Sequence, residues 1–318
     1  GTESIFLAMK SIRDWARAER RGGDRPEVLV PYSAHPAFSK AGHLLDLQVT
    51  RVPIGPDLRA DTSATRAAVG PNTVALVGSA PTFPHGVVDP IEGLATLALG
   101  HDLWLHVDAC VGGYVLPFVR RLGYPVPAFD FSVAGVRSMS ADTHKYGFAA
   151  KGASTVLYAD PRWHAFQIYD FDDWSYGRYS APTLAGTRPG GAVAAAWAVM
   201  RYLGVEGYTR IVADIMRTRD ALAAGIAALP GLHVNGTPEG PILTFSAERL
   251  DTLALAAALR ARGWYALTGA RPACIHLGML TAVHVPIVER WLADLKDAMH
   301  EVESGQTVAS GAGPGYGG

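Results

Sequence analysis

The chain has 318 residues, 49% hydrophobic and 18% charged, with a formal net charge of −1. That length allows a large core and two domains, while the near-zero charge offers no basic face for nucleic acid and no acidic disordered block. Two cysteines, Cys110 and Cys274, cannot form a disulfide framework and suit a reducing cytosol. No uninterrupted apolar run reaches membrane-spanning length and no signal-peptide pattern opens the chain, so a soluble, cytoplasmic protein is expected.

Residues 5 to 20 place Ile5, Met9, Ile12 and Trp15 at near-helical spacing, and Thr2 or Ser4 is positioned to cap that helix. Such a cap would leave free backbone N–H groups at Gly1 and Thr2 that favour an anion. The chain opens onto this helix with no preceding strand or arm, as if it began within a domain, so an upstream segment is expected to be missing. Val28–Val30 reads as a strand, 36–45 as a helix, 46–52 as a strand and 57–69 as a helix. The apolar run Thr73–Ser79 is a buried strand, 90–99 a helix and Leu103–Val107 a strand, with further short strands near 129–139 and at Ser154–Tyr158. Residues 170–191, rich in Gly, Pro, Ser, Thr and Tyr, read as a long loop of the kind that serves function or an oligomer contact. An Ala-rich helix over 192–203 and another over 206–228 follow. Strands at 232–235 and 241–246, a helix at 251–262, a strand near 274–278 and a helix at 284–302 complete a smaller α/β unit.

Strands alternating with helices predict an α/β fold with a mostly parallel sheet covered on both faces. The expected division is a large domain over 1–205, a small C-terminal α/β domain over 206–303, and a mobile Gly-rich tail over 304–318. Sites in such sheets lie beyond the carboxyl ends of strands, where Ser79, Asp108 and Lys145 would converge.

Two motifs carry chemistry. Lys145 lies in Ser140-Ala-Asp-Thr-His-Lys-Tyr-Gly-Phe-Ala-Ala-Lys-Gly152, between a short strand and a glycine turn. A lysine in a desolvated crevice there would have a lowered pKa and could attack an aldehyde as a Schiff-base amine. Asp108, in His106-Val-Asp-Ala-Cys-Val-Gly-Gly113, is a strand-end carboxylate followed by small residues, the expected partner of a protonated pyridine ring. Together they point to pyridoxal 5'-phosphate. The chain has only five lysines, so Lys145 and Lys151 in one short loop are unlike a solvated face.

Blander readings suit other residues. His106 shares a strand face with Asp108, but no further ligand completes a metal site, so no metal is expected. Cys110 has small apolar neighbours and reads as packed, not nucleophilic. His85 is balanced between substrate contact and turn residue. Tyr146, Tyr176 and Tyr179 could reach a phosphate, though loop aromatics more often pack. His43, His101, His164, His233, His276, His284 and His300 are read as structural.

With both motifs in hand, the chain resembles the fold-type-I pyridoxal-phosphate enzymes of the group II decarboxylase superfamily, and within it the sphingosine-1-phosphate lyases. The matching segments are Gly1-Thr-Glu-Ser-Ile, Ser33-Ala-His-Pro-Ala-Phe-Ser-Lys-Ala41, Gly78-Ser-Ala-Pro-Thr-Phe-Pro-His-Gly86, His106 to Gly113, Asp142-Thr-His-Lys-Tyr-Gly147 and Gly186-Thr-Arg-Pro-Gly190. The resemblance implies that Lys145 forms the Schiff base, Asp108 holds the ring nitrogen protonated, His35 stacks on one ring face and Cys110 lies against the other. It further implies that Gly1, Thr2 and His144 contact the cofactor phosphate. Thr187 would reach the phosphate of a neighbouring subunit, which implies an obligate homodimer with shared sites. Lys151 would serve the substrate phosphate or the proton transfers. The implied activity is retro-aldol cleavage of sphingosine 1-phosphate, or a similar phosphorylated long-chain amino alcohol, to phosphoethanolamine and a long-chain aldehyde. Amino-acid decarboxylation on the same scaffold is the first alternative, and a truncated, non-catalytic cofactor-binding subunit is the second.

Overall fold

The computed structural model describes residues 1–305, so the Gly-rich tail expected from residue 304 falls outside the described residues from 306 on. Helix α1 (Thr2–Ala18) buries Ile5, Met9, Ile12 and Trp15 along one stripe. No side chain caps its start, which corrects the cap expected from Thr2 or Ser4. Thr2 is already the first helical residue, and the Ser4 hydroxyl, one turn in, donates back to the Gly1 carbonyl at 2.7 Å.

The large sheet is then assembled in alternation. Its elements are β1 (Glu27–Pro31), α2 (Ala37–Leu45), β2 (Gln48–Val52), α3 (Thr62–Ala68), β3 (Thr73–Ser79), α4 (Ile91–Gly100), β4 (Trp104–Asp108), α5 (Leu116–Arg121), β5 (Val136–Ala141) and β6 (Thr155–Tyr158). The six strands lie in the order β2-β1-β3-β4-β5-β6, all parallel except β6. Every residue of β3 and β4 is buried, as befits central parallel strands covered on both faces. Val28 and Val30 pack with Ile5, Met9 and Phe38 beneath α1 and α2. Leu29 and Leu76 face the opposite cluster with Ile91, Leu94, Val212 and Phe245. Each such side chain contributes about 1.5–3 kcal/mol by leaving water.

Several local expectations need correction. The helix expected over 57–69 starts only at Thr62, because the Asp61 carboxylate caps it by accepting from the N–H groups of Ser63 and Ala64. Within 129–139, strand pairing begins only at Val136. The long loop expected over 170–191 contains an antiparallel hairpin, β7 (Tyr169–Phe171) and β8 (Tyr179–Ala181), preceded by α6 (Pro161–His164) and a short 3-10 turn. Its strands are three residues each, too short for alternation to reveal.

The helical span α7 (Gly191–Ala227) is broken at Gly204, whose φ of 56° and ψ of −175° leave the helix and suit only glycine. Beyond it, β9 (Leu232–Val234), β10 (Leu243–Ala247), α8 (Thr252–Ala261), β11 (Leu267–Ala270), β12 (Ala273–Leu277) and α9 (Val288–Glu303) form a second, antiparallel sheet with helices, ordered β11-β12-β10-β9. Strand β11 has no sequence-level counterpart. The last helix starts as a 3-10 turn over Ala282–Ile287 containing Pro286, which has no N–H to donate. Among the described residues no helix is long and apolar enough to cross a membrane.

Candidate active site

The strand order reverses about β1, from which the chain goes first to β2 on one side and then to β3 on the other. Crevices at such reversals lie beyond the carboxyl ends of the strands. Here β1 leads to His35, β3 ends at Ser79, β4 ends at Asp108, and β5 leads to Asp142 and Lys145. All five side chains line one cavity of about 950 Å³, together with Gly1, Thr2, Cys110, His144 and Lys151.

Lys145 sits on a tight turn whose backbone closes through its own N–H to the Asp142 carbonyl at 3.3 Å and through the Phe148 N–H to the Lys145 carbonyl at 3.0 Å. Gly147 is required in that turn, since a Cβ there would fall 2.4 Å from the Thr143 carbonyl oxygen. The loop is fastened from several sides. The Thr143 hydroxyl donates to the Ala153 carbonyl at 2.8 Å, the Tyr146 hydroxyl to the Leu280 carbonyl at 3.0 Å, and the Tyr208 hydroxyl to the Gly147 carbonyl at 2.8 Å.

The Lys145 ammonium lies 3.0 Å from Asp142 Oδ2. The pKa of the free amine is therefore raised, not lowered as expected from the sequence. Burial pulls it down, but Cys110, Asp142 and Asp108 together outweigh burial. Asp142 is itself held at about 2: burial opposes its charge, while Lys145 and the Ser154 hydroxyl favour it. The sequence reading gave Asp142 no part in setting the charge of the lysine, although its spacing three residues before Lys145 was the available signal.

Asp108 accepts the Cys110 N–H at 3.1 Å. His35 accepts the Ala37 N–H on Nδ1 at 3.1 Å, which assigns its proton to Nε2. Burial holds His35 below the usual histidine value, with Asp108 opposing and Lys145 reinforcing, so its ring is neutral at neutral pH. Burial, then Asp108 and Asp142, push the Cys110 thiol well up, in keeping with a packed residue. His144 lies beside the Ala153 carbonyl, 2.7 Å from Nδ1. Thr187 does not join them: it is exposed and lines no cavity with these residues.

Elsewhere, His106 is enclosed by Ser138 and Ser140, and burial lowers it to about 4. His85 is buried off the cavity and is likewise lowered to about 4, by burial and then His276. Tyr176 and Tyr179 stand exposed on the β7–β8 hairpin. His276 and His284, read from sequence as structural, line the cavity. So does an apolar wall from the C-terminal part of the chain, including Trp264, Leu277, Leu280, Ile287 and Trp291. Sequence reasoning missed this wall because its residues come from separate turns and helices that only tertiary packing gathers. Among the described residues no cluster of His, Cys, Asp or Glu could hold a metal ion.

The donor set fits pyridoxal phosphate. A lysine a quarter exposed and a strand-end carboxylate share the cavity. The uncapped N-terminus of the 17-residue α1 opens at its edge, onto an adjoining cavity of about 350 Å³ that also contains His144 and Ser154. Unpaired N–H groups at a helix start suit a phosphate.

Comparison with known proteins agrees. Residues 3–248 match the model described as the pyridoxal-dependent decarboxylase conserved domain. The sphingosine-1-phosphate lyase of Arabidopsis thaliana is 45% identical over 318 residues, covering all of this chain and 58% of that protein. The probable L-tyrosine/L-aspartate decarboxylase of Methanothermobacter thermautotrophicus is 32% identical, covering 93% of this chain and 79% of that protein. The solved structure of the Burkholderia pseudomallei sphingosine-1-phosphate lyase superposes with a TM-score of 0.92 at 41% identity, covering 96% of this chain and 70% of that one. The chain thus spans under two thirds of the length of the Arabidopsis lyase.

Proposed function

The chain belongs to the pyridoxal-dependent decarboxylase family, and from that premise we propose that it serves a carbon–carbon lyase acting on a phosphorylated long-chain amino alcohol such as sphingosine 1-phosphate. Pyridoxal phosphate, the cofactor of this family, supplies when bound a carbonyl that captures an amine and a ring that accepts the electrons of a breaking bond.

The protein's own groups would do the rest. Lys145 would anchor the cofactor, and its amine must first lose the proton that Asp142 stabilises. Asp108 would keep the ring nitrogen protonated, while His35 and Cys110 would bound the two ring faces. The N–H groups at Gly1 and Thr2, with His144, would hold the cofactor phosphate. Lys151 would neutralise the substrate phosphate or relay a proton. The reaction removes the proton of the substrate hydroxyl, breaks the bond between the hydroxyl- and amine-bearing carbons, and returns a proton to the latter. The products are a long-chain aldehyde and phosphoethanolamine.

One observation carries this reading beyond the cofactor: the charged floor of the cavity continues into the apolar wall of Trp264, Leu277, Leu280, Ile287 and Trp291. An alkyl chain would use such a wall, and a small amino acid would leave it wet. The competing reading, amino-acid decarboxylation, draws on the likeness to the archaeal decarboxylase. The full-length enzyme offered sphingosine phosphate and a panel of amino acids should release aldehyde, and carbon dioxide without aldehyde would reverse the assignment.

The reading takes residues 1–205 as the cofactor-binding domain and 206–303 as a smaller domain, supported by the separate antiparallel sheet and the break at Gly204. It also takes the working unit as a homodimer in which Thr187 reaches the partner's site. The exposed aromatic side chains of Trp174, Tyr176, Trp197 and Tyr202 support such an interface.

A further inference from the structure

Lysine is scarce in this chain. Of 28 basic side chains five are lysine (Lys10, Lys40, Lys145, Lys151 and Lys296). Three of the five, Lys40, Lys145 and Lys151, line the cavity of the candidate site, and no arginine lines it. Arginine offers a flat fork, whereas lysine offers a compact charge on a flexible stem that can approach a tetrahedral dianion from many directions.

The three differ in their partners. Lys145 is engaged by Asp142. By contrast, the ammonium groups of Lys40 and Lys151 make no ion pair or hydrogen bond among the described residues, whereas that of Lys10, outside the cavity, is held by three carbonyls and Asp14. Only Asp108 and Asp142 bring carboxylates to the cavity lining, and Asp142 is already committed to Lys145. Two uncompensated ammonium groups on exposed residues, one from α2 and one from the loop after Lys145, therefore line the same open cleft. Such a cleft concentrates anions.

A phosphate monoester could come from the cofactor or from the substrate. The adjoining cavity at the start of α1, suited to the cofactor's phosphate, includes neither Lys40 nor Lys151 in its lining. We propose that Lys40 acts with Lys151 to bind the phosphate monoester of the substrate, making Lys40 a specificity-determining residue for phosphorylated over unphosphorylated amino alcohols. This rests on the lyase reading above.

The test uses the full-length holoenzyme with Lys40→Gln and Lys40→Arg, and reads phosphate binding separately from turnover. Losing a charge-assisted hydrogen bond corresponds to roughly a 10- to 100-fold effect. Lys40→Gln should raise KM for sphingosine phosphate, and weaken inorganic phosphate binding measured by calorimetry, by about that factor. Cofactor affinity, titrated by absorbance, should stay at the wild-type value, and Lys40→Arg should recover part of the phosphate affinity. Unchanged phosphate binding in Lys40→Gln would overturn the proposal, and so would a loss confined to cofactor affinity, which would assign Lys40 to the cofactor's phosphate. Should the wild type release carbon dioxide and no aldehyde, the lyase reading fails. The calorimetry still decides whether Lys40 binds phosphate.

Discussion

Asp142 Oδ2 stands 3.0 Å from Lys145 Nζ, and this contact is one of those that raise the pKa of the amine on which the proposed chemistry depends. The same carboxylate is 3.7 Å from His144 Nε2, so one buried group orders both neighbours in the motif.

The pair has a defined pH window. Asp142 is depressed to about 2, so its contribution to stability is present above its unfolded value of roughly 4 and disappears as pH falls through about 2. Lys145 is raised, so its contribution is present below its unfolded value and is lost as pH rises through the folded one. In the Asp142→Asn variant the pH midpoint for amine modification of Lys145, followed by peptide mass spectrometry, should move downward. An unmoved midpoint would show that Asp142 does not control the amine.

Asp108→Asn should retain the cofactor by absorbance while kcat falls on the order of 10²–10³-fold, the usual consequence of losing a preorganised electrostatic partner. Loss of cofactor at unchanged kcat per bound molecule would instead give Asp108 a binding role only.

Asp89 is fully buried and accepts the N–H groups of Ala60 at 2.8 Å and Ser79 at 2.7 Å, tying the end of β3 to the loop before α3. Burial pushes its carboxyl up to about 7 against those two hydrogen bonds and Arg59. In Asp89→Asn an amide N–H₂ replaces one acceptor and leaves a buried donor unmatched. Urea denaturation should show a loss of about 1–3 kcal/mol.

Tyr146→Phe removes only the hydroxyl that binds the Leu280 carbonyl, the hydrogen bond joining the lysine loop to the apolar wall. We expect a loss of roughly 1–3 kcal/mol from the unmatched buried carbonyl, measured by denaturant titration. Hydrogen exchange should rise around Leu280; unchanged protection there would argue against the link.

If Trp174 and Tyr176 lie in a subunit interface, replacing both with aspartate should shift the full-length protein from dimer to monomer in sedimentation velocity. Both side chains are exposed in the isolated chain, so folding should survive the change.

Much of the large sheet could be read in advance. The runs at Thr73–Ser79 and Trp104–Asp108 are buried throughout and mostly apolar because central parallel strands are covered on both faces, and that pattern is local. The hairpin at 169–181 and strand β11 left no comparable signal, being three and four residues long. The placements of Lys145 and Asp108 followed from strand ends and the glycine turn, while His35 came only from the family resemblance. The pKa of Lys145 did not, because it depends on three groups that meet only in space.

The sequence by itself determined the alternating α/β order, the lysine loop and the strand-end aspartate, since each is written in short-range periodicity or in contiguous residues. Tertiary structure alone decided that Trp264, Leu277, Leu280, Ile287 and Trp291 form one wall of the cavity, and that Asp108 and Cys110, from another strand end, join the electrostatic surroundings of Lys145. Those relations depend on side-chain proximity across separate elements and on burial that strengthens charge interactions. Neither is encoded in any window of neighbouring residues.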